Sequence, residues 1–306
     1  MWKMHCIPSN MGIRMMQAIW QRSMRIFTTD SQTGDERERS ASMIFVTGDI
    51  HGEPNRLNTE NFPEQKELCR DDYVIICGDF GLVFAEDKES KTETWWLDWL
   101  EDKNFTTLFV DGNHENFDRL NAMTEEEWHG GRVHKLRKHV IHLMRGEMYR
   151  IDGIDVFAFG GARSHDINGL ASTEELRCDY TAGILQPDDP LIYEKRKILR
   201  TTRCSARIEG IDWWRAEMPS KAEMLHGYET LKANHWKADF IVSHDGPASS
   251  LAILGGGMLA PDPLTKYFER IKQRTDYHRW FFGHHHMDHQ ITVQDAVIYH
   301  QITRIF

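Results

Sequence analysis

From Met43 onward one arrangement of apolar and polar positions recurs along the chain. A short apolar run ends in a small residue, and a side chain of metal-binding type follows at once. Ile44-Phe45-Val46-Thr47-Gly48 leads to Asp49, and Val74-Ile75-Ile76-Cys77-Gly78 leads to Asp79. Leu108-Phe109-Val110-Asp111-Gly112 leads to Asn113 and His114, Phe240-Ile241-Val242-Ser243 to His244, and Trp280-Phe281-Phe282-Gly283 to His284. Near-continuous runs of this length predict strands buried on both faces. Polar groups just past strand ends are where α/β proteins place their ligand sites.

Helical spacing fills the intervals. Thr92–Lys103 carries Trp95, Trp96, Leu97, Trp99 and Leu100. Ser220–Asn234 opens with Ser220 and has Glu223 three residues on, the pattern of a capping box. Pro263–Arg274 has Leu264, Tyr267, Phe268 and Ile271 on one face, with Pro263 in the first turn. The tryptophans and Met224 are expected in the core. The polar segment Ser164–Trp214, with Pro187, Pro190 and a charged stretch at Glu194–Arg200, is either an excursion over a site or plain surface.

Residues 1–42 differ in character. They have no acid before Asp30, and Lys3, Arg14, Arg22 and Arg25 make them basic. Such composition fits a targeting leader or an upstream extension. The extension is preferred, with residues 1–42 outside the fold, residues 43–306 as the domain, and Met43 as a natural start.

Composition narrows the classes. The chain of 306 residues, 40% hydrophobic and 27% charged, is long enough for a sizeable core. It contains no apolar run of about 18 residues, so no membrane span is expected. Its formal net charge of −10 argues against broad nucleic-acid binding, which needs a basic surface. The five cysteines, Cys6, Cys69, Cys77, Cys178 and Cys204, form no CxxC pair and point to a reducing cytoplasm.

The strand-end residues carry the chemistry. In Gly48-Asp49-Ile50-His51-Gly52 an Asp and a His two apart can face one ion. In Gly78-Asp79-Phe80-Gly81 a single carboxylate has two oxygens with which to bridge two cations. Gly112-Asn113-His114-Glu115 offers a neutral carbonyl oxygen beside an acid or base. Ser243-His244 and Gly283-His284-His285-His286 complete the set. Taken singly, each histidine could be a satisfied core residue; taken together, the cluster marks a metal site. Glu115 and Asp245 suit supporting roles rather than ligation. His285 is expected to point away, and His289 and His300 take no role.

The series GDIHG, GDFG, GNHE, SH and GHHH, in this order from Met43 to His286, resembles the calcineurin-like metallophosphoesterase superfamily. The second motif and Gly160-Gly161-Ala162-Arg163-Ser164 are similar to its small bacterial members. The resemblance implies an α/β fold, a four-layer α/β/β/α sandwich of two mixed sheets flanked by helices. It implies two divalent ions, such as manganese, iron or zinc. Asp49, His51, Asp79 and His286 would hold the first, and Asp79, Asn113, His244 and His284 the second, with Asp79 bridging. It further implies hydrolysis of a phosphate mono- or diester by a metal-bridging hydroxide, with His114 as proton donor and a small phosphorylated substrate. Two carboxylates against two dications leave about +2 of local charge, which attracts phosphate to an acidic protein.

The chain departs from family members that act on phosphoproteins, which follow the second motif with Asp-Arg. Here Gly81-Leu82-Val83-Phe84 stands instead, leaving His114 without its usual partner. Arg163 is the candidate substitute contact to phosphate. The alternatives are a nuclease, against which the net charge speaks, and a non-catalytic binding scaffold, against which the intact ligand set speaks.

Overall fold

The computed structural model describes residues 41–165, 167, 183–202 and 206–306, which lie in one compact unit, Ala41–Phe306. Two mixed sheets form its centre. The first contains β1 (Ile44–Thr47), β2 (Tyr73–Cys77), β3 (Thr106–Val110), β4 (Glu125–Trp128), β5 (Gly131–Arg137), β6 (Val140–Leu143) and β15 (Thr303–Arg304), in the order β15-β1-β2-β3-β6-β5-β4. The second contains β7 (Glu147–Ile151), β8 (Ile154–Phe159), β11 (Lys237–Ser243), β12 (Asp276–Phe282), β13 (His289–Gln290) and β14 (Asp295–Val297), in the order β13-β14-β12-β11-β8-β7. The apolar runs of the sequence are the parallel inner strands of both sheets. Antiparallel partners close the edges.

The period-2 alternation of side chains builds the layers. Ile44 and Val46 of β1, Ile75 and Cys77 of β2, and Leu108 and Val110 of β3 face Val156, Ala158, Val242 and Phe281 of the second sheet in a shared core. The intervening Phe45, Val74, Ile76 and Phe109 face outward, onto Leu97 and Leu100 of α1 (Lys91–Glu101). On the far side, Phe157, Ile241, Trp280 and Phe282 pack on Leu231 of α4 (Lys221–Ala233), Leu251 of α5 (Ala248–Leu254), and Leu264, Phe268 and Ile271 of α6 (Pro263–Lys272). The result is the α/β/β/α sandwich of two mixed sheets. Two further helices, α2 (Phe117–Asn121) and α3 (Ile192–Thr202), bring the described total to six.

The three helices expected from spacing are α1, α4 and α6. Ser220 and Glu223 form the capping box at α4, and Ser90–Glu93 and Asp262–Thr265 do the same at α1 and α6. One expectation is corrected. Trp95 is 58% exposed rather than in the core, because it falls on the outer face of α1, while Trp96 and Trp99 pack inward. Within the polar excursion, the short parallel pair β9 (Ile184–Leu185) and β10 (Arg207–Ile208) lies beside α3, and Leu185, Leu199 and Ile208 share a small cluster. Residues 166, 168–182 and 203–205 of that segment, and all of residues 1–40, lie outside the described residues.

Ser42 donates from its amide and hydroxyl to Asp152 Oδ2 at 2.8 and 2.5 Å, and the Met43 amide donates to Asp72 Oδ1 at 2.8 Å. A chain beginning at Ala41 keeps these contacts and is therefore expected to fold with the melting temperature of the full chain. Starting at Met43 removes the Asp152 contacts and is expected to cost about 1 kcal/mol. Thermal unfolding of both truncations checks this, and an unfolded Ala41 chain would refute it.

Candidate metal centre

The inner strands are held in register, so their C-terminal ends stand level. Thr47 pairs with Ile76, Cys77 with Val110, and Ser243 with both Phe159 and Phe282. The loops leaving β1, β2 and β3 bring Asp49, His51, Asp79, Asn113 and His114 to one place. Those leaving β11 and β12 bring His244, His284 and His286 there from the other sheet.

Within this cluster four residues, Asp49, His51, Asp79 and His286, offer ligand atoms that all lie within 4.8 Å of one another. His51 Nε2 and His286 Nε2 face each other at 2.9 Å, and His286 Nε2 is 3.2 Å from Asp49 Oδ2. Beside them His244 Nε2 lies 3.3 Å from Asp79 Oδ1 and 3.2 Å from Asn113 Oδ1. His244 Nδ1 is 2.9 Å from the carbonyl oxygen of Cys77. A carbonyl only accepts, so Nδ1 carries the hydrogen and Nε2 is the nitrogen turned to the cluster. Asp79 stands between the groups: Oδ1 faces His244, and Oδ2 is 3.7 Å from His51 Nδ1.

Several of these atoms lack the partner that burial demands. Asp49 Oδ2 and His284 Nε2 are buried without a satisfactory hydrogen bond. Leaving a buried polar atom unmet costs about 1–3 kcal/mol. A cation at the point of convergence satisfies such atoms, and the mixed carboxylate, imidazole and amide oxygen set suits manganese, iron or zinc. The donors present therefore fit a divalent metal.

Backbone geometry singles out the same residues. His51 (φ 45°), Asp79 (φ 43°), His284 (φ 66°) and His286 (φ 50°) all adopt left-handed conformations. Each costs about 1–3 kcal/mol for a residue other than glycine. The strands beneath supply fully buried residues such as Val46, Ile76 and Phe282, each contributing about 1.5–3 kcal/mol. The scaffold can thus hold these four strained positions. Two motif glycines are fixed by close approach: a Cβ on Gly78 would run into the His244 ring, and one on Gly112 into the Asp79 carboxylate.

The electrostatics describe a cluster that takes up positive charge. Burial would lower His244, but the Asp79 and Asp49 carboxylates raise it to about 10. The Asp49 carboxylate, 3.2 Å away, raises His286. Burial opposes ionisation of Asp79, yet the charge and hydrogen bond of His244 hold it well below the usual carboxylate range. Burial, then nearby His244, takes His284 well below the ordinary histidine value, and burial also lowers His51. A cation entering such a cluster would have to displace the proton that these carboxylates hold on His244.

Supporting side chains complete the picture. Glu115 is fully buried and accepts from the amides of Phe80, Gly81 and Gly112 at 2.8, 3.0 and 3.3 Å, tying the loops that follow β2 and β3 together. Burial, with Asp79 nearby, pushes its carboxyl up to about 8 against those three donors. Arg56 donates to the Asp49 carbonyl at 2.7 Å and to the Tyr299 carbonyl, and the Tyr299 ring stacks on His286 at 4.6 Å. Neither Arg56 nor Tyr299 belongs to a motif, and no sequence signal marks them.

A cavity of about 340 Å³ opens over the cluster, lined by Asp79, Asn113, His114, His165, His284, His285 and His286. One expectation changes here. His285 lines the cavity rather than pointing away, because its Nε2 is held 3.1 Å from the buried Asp245 Oδ1. Arg163, the candidate phosphate contact, is not among the residues that line this cavity. His165, two positions on, takes a place in the wall with its ring 4.2 Å from that of His284.

The sequence matches calcineurin-like phosphoesterases over residues 42–288. The chain belongs to the calcineurin-like phosphoesterase family. Members of this family are generally metal-dependent phosphoesterases, and the Asp/His cluster, with its two carboxylates buried and its two imidazoles exposed, is where this member could bind metal. Among curated proteins no sequence is significantly similar to this one. No described helix of this phosphoesterase is long and apolar enough to cross a membrane.

Proposed function

We propose that this phosphoesterase hydrolyses phosphate esters of small molecules at a two-metal centre. Asp49, His51, Asp79 and His286 would hold one ion, and Asp79, Asn113, His244 and His284 the other. The observation that carries this reading is the convergence of seven donor side chains, from five strand-end loops, beneath a cavity of about 340 Å³. That volume suits a small-molecule site. When bound, the two ions supply charge to grip phosphate oxygens and to acidify a water molecule.

The chain's own residues supply the remainder. Asp79 positions both halves of the centre through its two oxygens. His114, half-buried and lining the cavity, has no side-chain hydrogen bond among the described residues and is available to a leaving-group oxygen. His165 stands on the His284 side of the same cavity, so imidazoles outside the ligand set flank the substrate space from two directions. The net charge of −10 favours a small phosphorylated substrate over nucleic acid.

The test assays phosphomonoesters, phosphodiesters, nucleotides and nucleic acids with metal-stripped protein, before and after adding Mn²⁺. Hydrolysis of small esters that depends on added metal is expected. Protein that binds two ions yet hydrolyses none of these would leave the scaffold reading in place. Preferential cutting of nucleic acid would favour the nuclease.

A further inference from the structure

The structure resolves a question that composition leaves open: how the Asn113 amide is turned. An amide offers an oxygen on one side and an NH₂ on the other, and only the oxygen can face a cation. Asn113 Nδ2 donates to Ser164 Oγ at 3.1 Å, and Ser164 Oγ donates to Glu217 Oε2 at 2.6 Å. The other oxygen, Glu217 Oε1, accepts from the Ser164 amide at 3.0 Å. All three residues are buried.

A serine hydroxyl has one hydrogen. An ionised Glu217 can only accept, so it takes that hydrogen and leaves Ser164 Oγ as an acceptor. Asn113 must then present its NH₂ to Ser164, which turns Oδ1 toward His244 and the shared centre. The chain of donors has one direction, and Glu217 sets it.

Glu217 is itself held from the opposite side. Arg145 donates to the carbonyls of Ala216 and Glu217 at 2.9 and 3.3 Å, and through Nε and Nη2 to Asp111 Oδ2 at 2.9 and 2.6 Å. Asp111 lies two residues before Asn113. One guanidinium thus fixes the spacing between the loop that carries Asn113 and the short 3₁₀ turn, Arg215–Glu217, that carries Glu217.

We infer that Ser164 and Glu217 are positioning residues that orient the Asn113 carbonyl oxygen toward a metal ion, so that the short turn just after the polar excursion controls occupancy of one of the two metal positions. This rests on the two-metal reading proposed above. Glu217→Gln is the decisive variant. It keeps the size of the side chain, but its NH₂ can donate to Ser164 Oγ, which frees the serine hydrogen to point at Asn113 and removes the preferred direction. Ser164→Ala removes the link outright.

The experiment titrates metal-stripped parent, Ser164→Ala and Glu217→Gln with Mn²⁺ by calorimetry at pH 8.5, above the value of about 7 to which burial pushes the Glu217 carboxyl. Electron paramagnetic resonance of each loaded sample follows. The parent is expected to bind two ions and show a spin-coupled pair. In both variants one site is expected to weaken by about 10–100-fold, the usual effect of removing a group that orients a ligand. The other site should keep its affinity, and the coupled signal should give way to that of isolated Mn²⁺. Thermal melts of the metal-free proteins separate this from general damage. Unchanged affinity at both sites in either variant overturns the inference, as does equal weakening of both sites. A parent that binds fewer than two ions overturns the two-metal reading itself.

Discussion

Asp79→Ala is expected to abolish binding at both metal positions and to lower kcat by at least about 10²–10³-fold, the cost of losing one electrostatic element from a reacting centre. Two features of the carboxylate lead to this. Its oxygens face different halves of the cluster, Oδ1 toward His244 at 3.3 Å and Oδ2 toward His51 at 3.7 Å. In addition, Oδ1 accepts from the amides of both Asn113 and His114 at 2.9 Å. The alanine variant leaves those two amides unmet, at about 1–3 kcal/mol for each that stays dry, so the loop carrying Asn113 and His114 loosens as well. Asp79→Asn separates the effects. It can keep an accepting oxygen for the amides while losing the negative charge, and is expected to fold normally yet bind metal poorly. Elemental analysis with melting curves of both variants decides this. An alanine variant holding two ions per chain and working at the parental rate would remove Asp79 from the bridging role.

His114→Ala is expected to leave metal content nearly intact and to lower kcat by about 10²–10⁴-fold on esters with a poor leaving group. The His114 amide donates to Asp79, while its ring lies on the His51 side of the cavity, with centroids 5.6 Å apart. The backbone contact survives the substitution, so the ligand loop should keep its shape. The ring is what disappears, and with it a proton for the departing oxygen. An alkyl phosphate needs that proton, whereas a nitrophenyl phosphate scarcely does. The loss should therefore be large for the first and small for the second. Comparing kcat for the two esters in parent and variant, with metal content checked in each, distinguishes a proton donor from a packing residue. Equal slowing of both esters, or loss of metal, would end the proton-donor assignment.

The parts of this molecule legible from sequence share a physical cause. The five apolar runs are inner parallel strands covered on both faces, so burial forces them to be continuous. The residues after them can be polar because the strands end there. Where one face is wet, the signal fades. β4 reads Glu125-Glu126-Glu127-Trp128 and lies at a sheet edge with those glutamates exposed. β15 spans Thr303–Arg304 alone and is defined by pairing with β1 at the opposite end of the domain. The left-handed backbone of His51, Asp79, His284 and His286 leaves no mark on composition, since the surrounding packing imposes it. Ser164 and Glu217 lie 53 residues apart in a polar stretch, and their contact is a product of folding alone.

The division of the candidate ligands between the sheets has a consequence for assembly. Asp49, His51, Asp79 and Asn113 ride on strands of one layer, and His244, His284 and His286 on strands of the other. Neither layer alone holds a complete set of donors. An ion bound across this seam binds only protein whose layers have already docked, so loading and docking are linked by mass action. The metals would act as rivets between two plates, and a slip of one plate past the other would be felt first as a loss of grip on the ions rather than as unfolding.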